Sequence, residues 1–295
     1  HSLKLNKSVQ IGSFEIIPRR ALDVDVDSLF QIKAAGMNVL NVVDSWIDED
    51  TLGLLSQEGP WDMVLWPFQT MREIEVIAPS QALNPSVHLP EEWIFQLAQL
   101  NPRYVVPSSC QFQQEDWSWY NQAFFPISYK QFQNEITQAL PQVQVIRLNP
   151  SVAVELDSQS VSLSSPLNWI YPLGDQDVDY QYQADVQVPP TSEIAQQFPA
   201  LSTDQTEIVL NYCRSGILEK YNSMRESLND YFEEVRGWKL SVYDHNGHAT
   251  VFYYRLDRNR IELLDKEPSE LSWSTEVPIS KLYSGLELGE SLTSM

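Results

Sequence analysis

Asp44 is the acidic residue whose surroundings best suit chemistry. The run Val39, Leu40, Val42 and Val43 is apolar and flanked by polar residues, as in a strand buried on both faces, and Asp44 stands where that strand ends. A carboxylate there can hold a metal, orient a water, or cap the helix that follows. A second group follows the next buried run, Met63 to Trp66, which Pro67 closes. Gln69, Arg72, Glu73 and Glu75 are placed either to line a site at that strand end or to form an ordinary surface loop. A third buried run, Tyr104 to Val106, stops at Pro107 and brings Ser108, Ser109 and Cys110 to the position equivalent to Asp44.

Other constellations are less specific. Asp23, Asp25 and Asp27 alternate, so in an extended segment all three would share one face, as a cation site or as a solvated edge strand. His245 and His248 flank Asn246-Gly247, a strong hairpin signal, and a hairpin tip supplies no evident third ligand for a metal. Solvated turn histidines are the simpler reading. No G-x-S-x-G elbow and no glycine-rich phosphate loop occurs, and nothing supports a Ser-His-Asp or Cys-His arrangement.

The elements that must position Asp44 form a strand–helix–strand unit. Leu52, Leu54 and Leu55 give the helix its apolar face, and Gly59-Pro60 ends it. The two strands are therefore parallel neighbours with Asp44 at their carboxyl edge, where open α/β sheets bind ligands. Residues 9–18 and Ser28–Lys33 read as further strands. Pro90-Glu91-Glu92 opens a helix carrying Trp93, Leu97 and Leu100, and residues 126–140 form another. Strands over 143–148 and 152–156 complete a first domain, 1–157. A stretch rich in Ser, Asp, Gln and Pro, 158–202, reads as a linker. In 203–295 an apolar stripe from Leu210 to Val235 predicts one long helix, or two broken at Gly216. An antiparallel meander follows over 238–243, 250–256 and 261–264, making a smaller α+β domain.

The chain of 295 residues carries a net charge of −21. A field of that sign opposes binding to nucleic acid or to anionic membranes, and an anionic substrate would need a local cation. Two cysteines, far apart and in no metal-binding spacing, suggest reduced thiols and a cytoplasmic protein. No apolar run approaches a membrane span.

The segments NVLNVVDSW, EGPWDMVLWPF, LPEEWIFQLAQLNPRYVVPSSCQF and VQVIRLNPSVAVEL, in that order, resemble the second half of a metallo-β-lactamase-fold hydrolase over about residues 9–157. The likeness is to the branch of the ascorbate-phosphate lactonase and related phosphodiesterase-like enzymes. It implies an α/β fold of αββα-sandwich type and metal-dependent hydrolysis of a lactone or phosphoester. It also implies zinc or another divalent metal on Asp44. Arg72 would then be a second catalytic group, and Gln69, Glu73, Ser108 and Ser109 would contact substrate. Two departures stand out. The family's H-x-H-x-D-H motif is absent, and its place would lie upstream of residue 1, so the sequence reads as a piece of a longer protein. The family's Pro-x-His step reads Pro107-Ser108-Ser109, and a hydroxyl is a poor zinc ligand beside imidazole.

The primary expectation is a hydrolase whose metal site is degenerate or incomplete in this chain; the alternative is a non-catalytic binding or assembly module that keeps the fold. An incomplete sandwich would leave an apolar sheet face to be covered by a second copy or another partner. The second domain resembles sterol-carrier-like modules in its order of elements.

Overall fold

The computed structural model describes residues 3–23, 25–68, 86–109, 114–171, 179–224 and 230–290. Contacts divide the chain into two units, His1–Val186 and Gln187–Met295.

The first unit is built on a seven-stranded mixed sheet whose spatial order is its chain order. Strands β1 (Val9–Ile11), β2 (Phe14–Arg20), β3 (Ser28–Ala34) and β4 (Met37–Asn41) are joined antiparallel. From β4 onward the sheet is parallel, through β5 (Met63–Pro67), β6 (Tyr104–Ser108) and β7 (Gln144–Val145). The change of direction follows from the connections. Ala35 and Gly36 close a tight turn with both φ angles positive, whereas α1 (Glu49–Leu55), α2 (Glu91–Leu100) and α4 (Tyr129–Ala139) each fall in a crossover, with the short α3 (Tyr120–Ala123) ahead of α4. Pro18 is tolerated in β2 because β1 stops pairing at Ile16 and asks nothing of the missing N–H.

Register fixes which side chains share a face. Ile17, Gln31, Leu40, Val64 and Val105 lie in one row across β2 to β6. The sheet residues of this core, Leu40, Val64 and Val105 among them, pack with Leu52 and Leu55 of α1, Trp93, Leu97 and Leu100 of α2, and Phe132 and Ile136 of α4. Helix α2 begins after Pro90 with Glu91 and Glu92 in its first turn. It ends at Asn101, which takes the left-handed conformation and returns its N–H to the Leu97 carbonyl.

The opposite face carries Ile16, Ile32, Val39, Met63 and Tyr104 in register. A two-stranded ribbon, β8 (Ala153–Leu156) and β9 (Val161–Ser164), covers part of it, with Leu156 and Val161 against Met63, Tyr104 and Val106. An αββα sandwich has two large sheets. Among the described residues this unit has one large sheet, helices on one face and that ribbon on the other.

At the amino edge of the parallel strands lies a buried polar network. The Arg19 guanidinium, 4 % exposed, donates from Nε to Gln31 Oε1 at 3.1 Å and from Nη1 to Asn6 Oδ1 at 2.9 Å, and its Nη2 lies 3.2 Å from Glu58 Oε1. Gln31 passes the chain on, Nε2 to Asn38 Oδ1 at 3.0 Å, and Asn38 Nδ2 donates to the Glu58 and Pro60 carbonyls, each at 3.1 Å. One arginine thus ties β2 and β3 to the loop that leads into β5.

The stretch 158–202, expected as a linker, contributes to both units. It supplies β9 and the ring of Tyr180 to the first, and α5 (Thr191–Ile194) with the 3-10 turn Ala195–Gln197 to the second.

In the second unit, α6 (Thr203–Asn211) starts with a capping box between Ser202 and Gln205 and runs through a π turn, Tyr212–Gly216, into α7 (Ile217–Ser223). Gly216 is required there, since a Cβ would lie 2.3 Å from the Tyr212 ring. The Tyr254 hydroxyl donates to the Cys213 carbonyl in the π turn at 2.6 Å, supplying the bond that a displaced helical register withholds. The expected meander is present as β10 (Arg236–Tyr243), β11 (Ala249–Asp257) and β12 (Arg260–Leu264). A fourth strand, β13 (Trp273–Pro278), returns parallel to β10, and α8 (Ile279–Tyr283) follows it, so the sheet order is β12-β11-β10-β13.

Candidate functional site

Asp44 stands three residues past β4, at the carboxyl edge of the parallel strands, exposed and in the left-handed conformation with φ of 65°. It is a central residue of a turn closed by Ser45 N–H to the Val42 carbonyl at 3.0 Å. Aspartate tolerates that conformation better than most residues. It does not cap the helix after it. That role belongs to Asp48, whose Oδ1 accepts from Thr51 N at 3.0 Å while Oδ2 accepts from the Thr51 hydroxyl at 2.8 Å. The pattern Asp48-x-x-Thr51 explains the choice, because the cap must directly precede the first helical turn.

Ser108 ends β6, opposite Pro67 of β5; its hydroxyl donates to the Val106 carbonyl at 3.2 Å and its carbonyl accepts from Phe68 N at 2.7 Å. Ser109 follows in the left-handed conformation, φ 67°, and its Oγ is buried without a hydrogen bond. Gln69, Arg72, Glu73, Glu75 and Cys110 lie outside the described residues. Asp44 and Ser109 thus share the carboxyl edge, but β5 separates their strands, about 10 Å across the sheet at the usual strand spacing.

A metal held here would need three or more donors about 2 Å from one point. Among the described residues no group of three His, Cys, Asp or Glu side chains converges anywhere. His88 is exposed and its Nδ1 lies 3.0 Å from Glu135 Oε1; His248 is exposed beside Asp244 on the hairpin loop. Asp23, Asp25 and Asp27 fall on a turn, with Asp27 N–H returning to the Asp23 carbonyl at 2.9 Å, and not on an extended strand. Among the described residues, Asp44 and a serine hydroxyl across the sheet supply fewer donors than zinc or a comparable divalent ion takes.

What the carboxyl edge does hold is a cavity beside β6 and β7. Its volume is about 330 Å³, and its walls among the described residues are Pro107, Val145, Tyr129, Gln133, Lys130, Arg147 and Asp179. The arrangement has clear causes. Helix α4 begins here, with Ser128 Oγ accepting from Gln131 N at 3.1 Å. The Asp179 carboxylate sits on the same helix end, accepting from Tyr129 N at 2.7 Å, Lys130 N at 3.1 Å and Tyr180 N at 2.9 Å. A negative charge on the amino end of a helix is favourable. Tyr129 is clamped between the Phe68 ring at 4.7 Å and the Tyr180 ring at 5.5 Å, and the Arg147 guanidinium lies 4.2 Å from the Tyr129 ring centre. Arg147 Nε donates to Asn149 Oδ1 at 2.8 Å, which fixes the plane of the fork.

None of these cavity residues was a sequence candidate. Arg147 could have been found by the rule that selected Asp44, since it directly follows a short buried run on the same edge. Asp179 could not, because its partners in α4 lie 50 residues earlier and no spacing links them.

No protein-family model matches the chain, and no curated protein matches it. Among solved structures, the chain is similar to a protein from Thermotoga maritima described as a candidate Zn-dependent hydrolase of the metallo-β-lactamase superfamily. The identity is 12 % and the TM-score 0.29, over 49 % of this chain and 70 % of that one. No helix among the described residues is long and apolar enough to cross a membrane.

Proposed function

We propose that this chain is a non-catalytic binding module that retains an α/β layer and holds a small organic molecule at the carboxyl edge beside β6 and β7. One observation carries the reading. The edge presents a cavity of about 330 Å³ with an aromatic wall, an arginine and a lysine, at the place where open α/β sheets take ligands. Among the described residues, no third donor joins Asp44 and Ser109.

A second reading keeps the hydrolase: a metal-dependent enzyme of the metallo-β-lactamase type acting on a lactone or phosphoester, with Asp44 as ligand. The position of Asp44 favours it, past a parallel strand end and in a left-handed turn. In that reading Arg72, Gln69 and Glu73 would complete the substrate site, and further metal donors would come from beyond the described residues.

Metal content separates the two. Protein purified without added metal is analysed for its elements, alongside Asp44→Ala, and both are assayed on simple lactones and phosphodiesters. The binding module contains less than about a tenth of an equivalent of metal and turns over neither substrate. Near-stoichiometric zinc, iron or manganese that falls in Asp44→Ala would establish the hydrolase instead.

A further inference from the structure

We propose that the outer edge of β1 binds a second copy of this chain, antiparallel about a two-fold axis through Gln10, so that two seven-stranded sheets become one. The proposal goes beyond small-molecule binding at the carboxyl edge and does not depend on it.

The hairpin fixes which backbone groups are left over. Strand β1 is the end strand of the sheet and pairs with β2 on one side only. Gly12, with φ of 60°, and Ser13 form a two-residue turn, so Ile11 and Phe14 are the closing pair that exchanges hydrogen bonds, as are Val9 and Ile16 two residues on. Gln10 lies between them, and its N–H and C=O therefore point away from β2. An antiparallel copy centred on Gln10 meets them with the same two groups, and sets Val9 opposite the partner's Ile11.

The side chains make that edge self-complementary. Val9, Ile11, Phe14 and Ile16 share one face of the hairpin, and Ile11 and Phe14 are 59 % and 49 % exposed. The ribbon of β8 and β9 packs on Val39, Met63, Leu65, Tyr104 and Val106, farther along the sheet, and leaves Ile11 and Phe14 in solvent. In the two-fold register one row runs Phe14, Ile11, the partner's Val9, the partner's Ile16, and the second row is its mirror. Both are apolar from end to end. A second copy guarantees that match, because the same patch serves both sides.

Charge points to the same place. Two chains of net charge −21 repel each other, so a self-contact belongs where the sequence carries no acid, and Ser8 to Phe14 contains no charged residue. Lys7 falls opposite the partner's Ser13, about 20 Å from its own counterpart and beyond the screening length at physiological salt. Edge strands that stay single are commonly guarded by charge or proline, and β1 has neither. The far edge of the sheet, β7, is two residues long.

Light scattering of the full chain over a dilution series reads the mass. It is expected to reach twice the mass of one chain, with half of the chains paired at roughly 100 μM. Added salt strengthens the pairing severalfold, because it screens the repulsion. Gln10→Pro removes the outward N–H and no bond to β2, and weakens pairing about tenfold or more. Ile11→Lys, at an exposed position, does the same by setting a charge in the apolar row. Amides of β3 and β4 keep their exchange rates in both variants, so loss of the pair is not loss of the fold. In the unaltered chain the Gln10 amide exchanges about tenfold more slowly at 1 mM than at 10 μM. A one-chain mass at about 1 mM in high salt, a pair that both variants leave intact, or a Gln10 amide indifferent to concentration would overturn the proposal.

Discussion

Replacing Arg19 with methionine removes the centre of the amino-edge network while keeping most of the side-chain volume, so the cost can be worked from its bonds. Gln31 is fully buried, and its Oε1 would lose the guanidinium that serves it. An orphaned buried acceptor costs about 1–3 kcal/mol. Losing the bond to Asn6, which is partly buried, adds about 0.5–1 kcal/mol. Glu58 loses less. Its side chain is 31 % exposed and Lys33 remains 3.4 Å away, so water and that lysine take up the charge, at roughly 0.5 kcal/mol. The sum is about 2–4 kcal/mol, a factor on the order of 10² in the opening equilibrium. Native-state hydrogen exchange reads it directly: amides of β3 and β4 should exchange about a hundredfold faster in Arg19→Met, while those of β10 and β11 stay unchanged. Adding Gln31→Met should restore part of the loss: it removes the orphaned acceptor, but it also takes the donor from Asn38 Oδ1. A change below about threefold in β3 and β4 would refute the assignment of Arg19 as the tie between these strands.

The first unit should also lose stability in acid. The charges and hydrogen bonds of Glu58 and Glu135 depress their carboxyls below the ordinary range. At Glu58 burial pushes the other way but Arg19 and Lys33 outweigh it; at Glu135 burial is outweighed by Gln131, the Leu89 amide and His88. Depressed values mean that the folded chain binds fewer protons than the unfolded one. Their contribution is therefore complete above the unfolded carboxylate pKa, about 4.3, and is lost as pH falls below it. Thermal melts at pH 6 and pH 3.5 check this, and Glu58→Gln should flatten the difference; an unchanged slope would contradict the assignment. The helix-cap assignment is tested by a pair of variants at Asp48. Asp48→Ala should cost about 1 kcal/mol in urea unfolding, and Asp48→Ser, which keeps a capping oxygen, should recover most of it. Equal costs for the two variants would refute the cap at Asp48.

Much of the architecture was legible because local chemistry specified it. Pro90-Glu91-Glu92 placed α2 within a residue, Asn246-Gly247 marked the hairpin whose Gly247 has φ of 81°, and the buried runs ending at Pro67 and Pro107 became β5 and β6. Elements set by distant partners were not. Strand β13 returns parallel to β10 because Gly237 lets the chain of Glu270 pass; a Cβ there would lie 2.2 Å from the Glu270 carbonyl oxygen. The alternation of Leu271, Trp273, Thr275 and Val277 with Ser272, Ser274 and Glu276 is a strand signal, but nothing in 265–278 names β10 as the partner. Gly216 in the sequence permits a break in a long helix, but the chain continues through a π turn, since a hydroxyl 41 residues away satisfies the shifted carbonyl. The candidate site divides the same way. Strand ends located Asp44 and Ser109 on one edge, while the cavity required Asp179, which only the folded chain brings to α4.

The first sheet's strand order bears on how the protein is made. Since β1 to β7 lie side by side in the sequence in which they leave the ribosome, every new strand joins an edge already formed and none must be inserted between two partners. Loop closures stay local in the first four strands and involve a single crossover each thereafter. The sheet can therefore grow outward during synthesis, from hairpins to parallel layer, with each helix settling on the face behind it. The cavity is the last part of the unit to form, because Asp179 emerges long after the strands that frame it. A nascent chain shorter than that has its layer but not yet the Asp179 wall of the cavity.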